Sequence, residues 1–364
     1  MDRLESCWHC QSIICYGHLR CAQGTEPILI RFSVILPVRN GWPYVEECVN
    51  SILAQTYPHF DLIVLDNCST DATVEWLRSR NDPRIRISTS TVSLSIVDSW
   101  ARAVHVERHE YMTLIGHDDK FDPDFLETIK NLIERYPESS LYQTGGRLIN
   151  SQGKTVRSCV PVPEIETAAQ YLKARFTFNR DNFGTGFIMR SADYDRVGGI
   201  PPFERLSFAD DALWLALVGS GSKACDPGEH FSVRVHPESE SASLPSFWRL
   251  IISGLASLTD FLSDFVQTNA EASEVYRAYG PDFMLTYHRN ATIMALVEAS
   301  EAGQRIDRVT TDRIRASLMR SAPDQVGKLF RSPKVAAIAA LNASPLRFVL
   351  PMLWSQYSRL KTRS

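Results

Sequence analysis

Two adjacent carboxylates, Asp118 and Asp119, follow an apolar run at residues 111–115 and a single Gly116. Hard oxygen donors side by side, with room left for waters and phosphates, suit Mg2+ or Mn2+ carrying a diphosphate. A solvated Asp-Asp turn is the plainer alternative. Just downstream, Asp122 suits the N-cap and Pro123 the first position of a helix. Two earlier strand ends also carry polar groups: Arg39 with Asn40, and Asp66 with Ser69 and Asp71. Aspartates there can accept from a base N–H or a ribose hydroxyl, or serve only as turn and cap residues. A second acidic pair, Asp210 and Asp211, opens a helical pattern, and His236 closes a strand pattern.

These residues need a scaffold that brings strand ends to one rim. Residues 28–38 read as a nearly continuous apolar strand, and Val45, Cys48, Val49, Ile52 and Leu53 follow at helical spacing. Residues 60–65 and the short 85–88 run are further strands, with a helix through Val74, Trp76 and Leu77 between them. The 111–115 strand leads into another helix through Phe125, Ile129, Leu132 and Ile133. Such alternation predicts an α/β fold, a mostly parallel Rossmann-like sheet flanked by helices, whose strand carboxyl ends bind ligands. The second half is more mixed: strands at 141–148, 187–190 and 231–236, and a helix at about 210–218. Beyond Pro245 the pattern is helical, which predicts a C-terminal α-helical extension.

The 364-residue chain is 44% hydrophobic and 22% charged, ordinary for a globular protein. Its net charge of −3 hides an asymmetry: residues 313–364 hold ten Lys/Arg and one acid, Asp324, leaving that stretch about +9 and the rest about −12. An acidic body is a poor nucleic-acid binder. Cys7-x-x-Cys10 makes a zinc half-site, but Cys15 and Cys21 lack the paired spacing that would complete a ribbon or finger, and residues 1–30 read as a poorly ordered extension. Cys48 and Cys68 read as reduced thiols of a cytosolic protein. No run is long and apolar enough to span a bilayer, and Asp2 and Glu5 without an apolar h-region argue against a secretion signal.

Four motifs, in order and at matching spacings, resemble family 2 glycosyltransferases of the GT-A fold. Phe32-Ser-Val-Ile-Leu-Pro-Val-Arg-Asn40 is similar to the family's opening strand, and Ser51-Ile-Leu-Ala-Gln-Thr-Tyr57 to the end of its first helix. Leu65-Asp-Asn-Cys-Ser-Thr-Asp71 resembles its uracil-contacting turn, and Ile115-Gly-His-Asp-Asp119 its metal motif. Two departures stand out: Gly116 replaces the first carboxylate of the metal motif, and Asn67 and Cys68 replace the neighbours of Asp66. The resemblance covers residues 31–238, and residues 239–364 would form the helical region with a basic amphipathic tail. It implies that Pro37 and Arg39 border the base, that Asp66 accepts from uracil N3–H, and that Asp118 contacts ribose or metal. Asp119 would then coordinate the divalent cation, Mg2+ or Mn2+.

The resemblance also implies a general base at a helix start, similar to Phe208-Ala-Asp-Asp-Ala-Leu-Trp-Leu-Ala-Leu217. Aligning the leucines selects Asp210 and aligning the acidic pair selects Asp211, to which the reading leans. Asn182-Phe-Gly-Thr-Gly-Phe187 and Val197-Gly-Gly-Ile-Pro-Pro202 resemble the acceptor-side loop and the approach to that helix. Ser232-Val-Arg-Val-His-Pro-Glu-Ser239 resembles a strand end whose Arg and His face the diphosphate. His236 would then be a third metal ligand or a phosphate contact, with a structural histidine as the alternative.

The expectation is a metal-dependent, inverting transferase that moves a sugar from a nucleotide-sugar donor, UDP-linked by the resemblance, to a glycan or lipid-linked acceptor in cell-surface polysaccharide or glycoconjugate synthesis. A nucleotidyltransferase would want a Gly-rich basic loop after the first strand, where residues 38–43 hold one glycine. A non-catalytic sugar-binding module would have lost Asp210 and Asp211. Gly219-Ser-Gly-Ser-Lys-Ala224 fits a dinucleotide-binding spelling but follows a helix, so it reads as a helix C-cap and turn. The basic tail suits an anionic membrane surface, which would make the protein cytoplasmic and peripheral on the inner face; a homodimer contact is the competing use.

Overall fold

The computed structural model describes residues 29–236 and 246–361. Strand β1 (Phe32–Val38) is buried at every position, which explains its unbroken apolar sequence: helices cover both faces. It pairs in parallel with β2 (Phe60–Asp66) on one side and β4 (Tyr111–Leu114) on the other, and β3 (Ile85–Thr89) continues the parallel run beyond β2. Helices α1 (Tyr44–Leu53), α2 (Thr73–Ser79) and α3 (Ile96–Ala101) make the crossovers. α1 turns Val45, Cys48, Val49 and Ile52 into the core at the spacing that its sequence shows.

After β5 (Lys120–Phe121) and α4 (Phe125–Arg135) the sheet becomes mixed. β6 (Leu141–Ile149) runs parallel to β10 (Lys223–Arg234), while β9 (Phe187–Arg190) is antiparallel to both β4 and β6. The order is β3-β2-β1-β4-β9-β6-β10-β5, with β7 (Thr155–Ser158) on β6 and β8 (Ile165–Glu166) on β10. Parallel pairing therefore dominates where strands and helices alternate in sequence, and antiparallel pairing enters where that alternation breaks down. The strand expected at 231–236 is the second half of β10, whose register slips between Asp226 and Phe231; His236 lies just beyond its end.

Helices α5 (Ala168–Phe176), α6 (Ser191–Arg196) and α7 (Ala209–Gly219) complete this layer. α7 is apolar nearly all round because it is sandwiched, with Trp214 stacked on Phe187 of the sheet and its other side against α8 (Phe247–Phe265). It ends at Gly219, so the glycine-rich stretch is a helix end and turn. α9 (Ala270–Glu301), α10 (Arg308–Ser321), α11 (Val326–Arg331), α12 (Pro333–Ala343) and α13 (Leu350–Lys361) form the helical extension, centred on α9.

One local expectation fails. Asp122 does not cap α4, which starts at Phe125 with no side-chain cap bond. The Asp122 carboxylate instead meets Arg147 of β6 at 2.5 Å, because an ionic partner from the sheet outcompetes a backbone N–H. The described cysteines, Cys48, Cys68, Cys159 and Cys225, are all free thiols. The zinc question at Cys7–Cys21 lies outside the described residues. Among the described residues no single helix is long and apolar enough to cross a membrane.

Candidate active site

The carboxyl ends of β1, β2 and β4 meet at a cleft of about 650 Å3 lined by Pro37, Arg39, Asn67, Trp100, Asp118 and His236 among others. Its rim is tied by short polar links between the loops that follow β1 and β2. Ser69 Oγ accepts from Asn40 N, Asn40 Oδ1 accepts from Thr70 N, and Asp71 Oδ2 accepts from Trp42 N. Pro37 is buried in the floor and Arg39 is exposed at the mouth. Asp66 is fully buried, and both carboxylate oxygens turn back to the Ser69 N–H at 3.2 and 3.4 Å. It sits behind the wall of the cleft, whereas its neighbour Asn67 is on it and pins the 94 turn through both amide atoms.

Backbone pairing of Ile115 N with Ile35 O carries β4 to its last residue, and Gly116 then turns the chain. The two carboxylates fold back over that glycine. A Cβ at 116 would lie 2.9 Å from Asp118 Oδ1 and 3.1 Å from Asp119 Oδ2. The missing first carboxylate of the motif is thus replaced by space that the other two use. Asp119 is buried and accepts from Arg234 N at 2.9 Å, and a Thr185 hydroxyl also donates to it. Burial and the adjacent Asp118 nevertheless push its pKa up to about 8. His236 Nε2 lies 3.1 Å from Asp118 Oδ2, and its ring packs on Tyr44 at 4.8 Å. Burial lowers the pKa of the neighbouring His117.

Arg234, which the resemblance sets toward the diphosphate, does not line this cleft and borders a cavity behind Asp118 instead. Its guanidinium is wholly buried, donating to the carbonyls of Asp118, Asn150 and Ser151 and pairing with Glu47 at 2.8 Å. It braces the acidic turn from behind.

Behind Asp118 a second cavity of about 610 Å3 opens, holding Asp119, Arg175, Asn182, Asp210, Asp211 and Tyr287. Asp118 and Arg205 line both cavities, so the two chambers meet there. The acidic pair is divided by its partners. Asp211 is buried in a two-pronged ion pair with Arg175, Nε to Oδ1 at 2.5 Å and Nη2 to Oδ2 at 3.1 Å, and Arg175 also donates to Tyr287 Oη at 3.0 Å. Burial alone would lower the Arg175 pKa, but Asp211 and Tyr287 raise it, so the guanidinium stays charged. Asp210 is half-buried, accepts from Asn182 Nδ2 at 3.0 Å, and is pushed up to about 7 by burial and by the charge of Asp211.

Residues 177–186 link the chambers, since Asn182 contacts Asp210 while Thr185 contacts Gly116 N and Asp119. The segment is anchored by Arg180, buried against Glu166, whose other partner is the fully buried Lys223 at 2.8 Å. Arg175, Tyr287 and Arg205 carried no sequence signal. Arg175 is one basic residue in a helix, and Tyr287 lies in the extension.

A mixed sheet with this order, an acidic turn at one strand end and a second acidic group across the cleft defines a GT-A-type sugar-nucleotide transferase. Residues 33–197 match the model described as glycosyl transferase family 2. Over those residues the chain carries a family 2 glycosyltransferase domain, and it is a glycosyltransferase. It is similar to the putative teichuronic acid biosynthesis glycosyltransferase TuaG of Bacillus subtilis, 29% identical over 53% of this chain and 73% of that one. It also resembles the chondroitin synthase of Pasteurella multocida, 28% identical over 45% of this chain but only 18% of that one. In structure it resembles S. aureus TarS 1–349 in complex with UDP-GlcNAc, with a TM-score of 0.56, 16% identity, and coverage of 90% of this chain and 92% of that one. At that identity the likeness speaks for the fold.

Proposed function

We propose that the protein transfers a sugar from a nucleoside-diphosphate donor to an acceptor hydroxyl with inversion, in the building of a cell-surface polysaccharide. The single observation that carries this is the junction at Asp118: a polar cleft with the acidic turn at its end opens onto a second chamber that holds a carboxylate with a raised pKa. The relatives with printed roles in teichuronic acid and chondroitin synthesis support the polymer class, and the TarS complex supports a UDP-sugar donor.

Asp119 and Asp118, with His236 beside Asp118, would hold Mg2+ or Mn2+. Among the described residues no three His, Cys, Asp or Glu side chains converge to hold a cation unaided. The residues still fit the ion, because Mg2+ commonly takes one or two carboxylates and completes its shell with phosphate oxygens and water. A cation there would also offset the charge that keeps Asp119 near 8. Once bound, it stabilises negative charge developing on the diphosphate leaving group.

The base is Asp210 rather than Asp211, to which the sequence reading leaned. Asp211 is committed to Arg175, while Asp210 faces the chamber with a pKa matched to neutral solution. Its carboxylate takes the acceptor hydroxyl proton as the acceptor oxygen attacks the anomeric carbon. The bond from that carbon to the diphosphate oxygen breaks in the same displacement, releasing the nucleoside diphosphate. Arg175 and Tyr287 orient Asp211, whose charge keeps Asp210 basic. The test is nucleotide release from a panel of sugar nucleotides with Mn2+, with chelator, and with Asp119→Ala. Chelation and substitution should each lower release by about 100-fold or more; release indifferent to both overturns the metal-dependent mechanism.

A further inference from the structure

The 345–355 segment of the helical extension carries both docked and exposed apolar residues. Leu350 is buried with Ile293 and Val297 of α9 and Val335 of α12, and Trp354, one turn on, packs against the same cluster. That contact docks the segment. In the same segment Leu346, Phe348, Met352 and Leu353 are exposed at 56, 68, 57 and 46%. Four large exposed apolar side chains thus fall within eight residues, a tighter cluster in sequence than the other exposed hydrophobics of the described residues make. α12 and the 345–355 segment meet at a 111° bend, which makes this end a corner. Lys328, Arg331 and Lys334 are exposed on the two helices leading to that corner, within a stretch that holds ten Lys/Arg and one acid.

We infer that this corner docks on an anionic lipid surface, with Leu346, Phe348, Met352 and Leu353 entering the headgroup boundary and the basic residues facing lipid phosphates. Apolar anchors flanked by cations are the pattern that binds such interfaces, and each basic residue near the surface strengthens attraction to anionic headgroups. A second copy of the chain is the poorer occupant: a two-fold contact through this corner would bring Lys328, Arg331 and Lys334 of each copy toward those of the other. The inference stands apart from the proposed transfer reaction, and its readout does not depend on activity.

The test is co-sedimentation of the full chain with vesicles of phosphatidylglycerol and phosphatidylcholine at about 3:7, against pure phosphatidylcholine, with light scattering in parallel. Binding should favour the anionic vesicles by about tenfold and weaken with salt. The double variant Phe348→Glu/Met352→Glu should lose most of that binding while keeping its melting temperature. Lys328→Glu/Arg331→Glu, which leaves the apolar cluster intact, should lower it by about fivefold or more. Equal binding to both vesicle types, or none to either, overturns the inference. So does self-association that Phe348→Glu/Met352→Glu abolishes while vesicle binding stays unchanged.

Discussion

The two chambers that meet at Asp118 are held in shape by different forces. The donor-side cleft is framed by strand ends whose loops fasten to one another through backbone N–H groups and short polar side chains: Asn40 with Thr70, Ser69 with Asn40, Asp71 with Trp42. The second chamber is framed by buried ion pairs, Arg175 with Asp211 and Arg180 with Glu166, and by the aromatic cluster of Phe178, Phe208, Phe283 and Tyr287. Its entrance turn holds Arg205, Leu206 and Phe208 at φ of 48°, 59° and 61°. Left-handed backbone at non-glycine residues is costly and persists when packing enforces it. Here α8 presses on the turn at Gly254, where a Cβ would lie 2.8 Å from the Ser207 carbonyl oxygen. A frame of backbone-to-side-chain links suits a ligand shared across a family. On the proposed assignment, a frame borrowed from the helical extension would let one member shape its own acceptor site.

The sharpest way to break this contrast is to separate Asp210 from Asp211. Asp210→Asn should lower kcat by about 1,000-fold and leave donor affinity within a few-fold, because a base acts on the chemical step. Asp211→Asn should cost stability more than chemistry. The comparison is made by steady-state kinetics with urea melts of the same proteins. If Asp211→Asn lost the full 1,000-fold at unchanged stability, the base would be Asp211 and the Arg175 pair would have to open in turnover.

Arg175→Met should destabilise the fold by about 3 kcal/mol, since it strands a buried carboxylate, as urea denaturation would show. Binding of the nucleoside diphosphate should be unaffected, because the donor cleft shares no bond with that pair. A parallel loss of donor affinity would mean that the chambers are one mechanical unit.

Titration gives a smaller effect with a definite sign. Asp210 is pushed from 3.8 up to about 7, and as the proposed base it would act in its ionised form. Activity that depends on it is therefore present above about pH 7 and falls about tenfold per unit below it. Stability runs the other way. The folded carboxyl holds a proton up to about 7 while the unfolded one releases it near 3.8, so this group's contribution is present below 3.8 and is lost as pH rises through 7. Asn182→Ala removes a donor to the charged form, so the acid limb of the kcat/KM profile should move to higher pH by about half a unit.

The same contrast governs what the sequence could reveal. The donor half was legible because its determinants are local: apolar runs for β1, β2 and β4, helical spacing in α1, and turn residues at each strand end. Distance defeats the local signals elsewhere. Asp122 looked like a cap until Arg147, 25 residues on, took its carboxylate. The feature that sets Asp211 apart from Asp210 is its pairing with Arg175, 36 residues earlier, which also bonds Tyr287 in the extension. Asp66 sat where an aspartate should meet a base, yet its side chain satisfies its own turn, a use that local sequence cannot distinguish from the other.

The smallest expected effect tests the donor side at its most unusual residue. Gly116→Ala needs no forbidden backbone, because Gly116 is not among the positive-φ glycines. Its Cβ would crowd Asp118 Oδ1 at 2.9 Å, the mobile end of a half-buried side chain that can yield by rotating. Stability should therefore change little. The rotation moves one of the two carboxylates away from its neighbour, so the Mn2+ concentration needed for half-maximal activity should rise a few-fold, about 1 kcal/mol. Vesicle binding and the Asp210 pH limb should not move, since neither depends on this turn. An unchanged Mn2+ requirement would mean that the space above Gly116 is incidental, and that Asp119 alone sets the cation affinity.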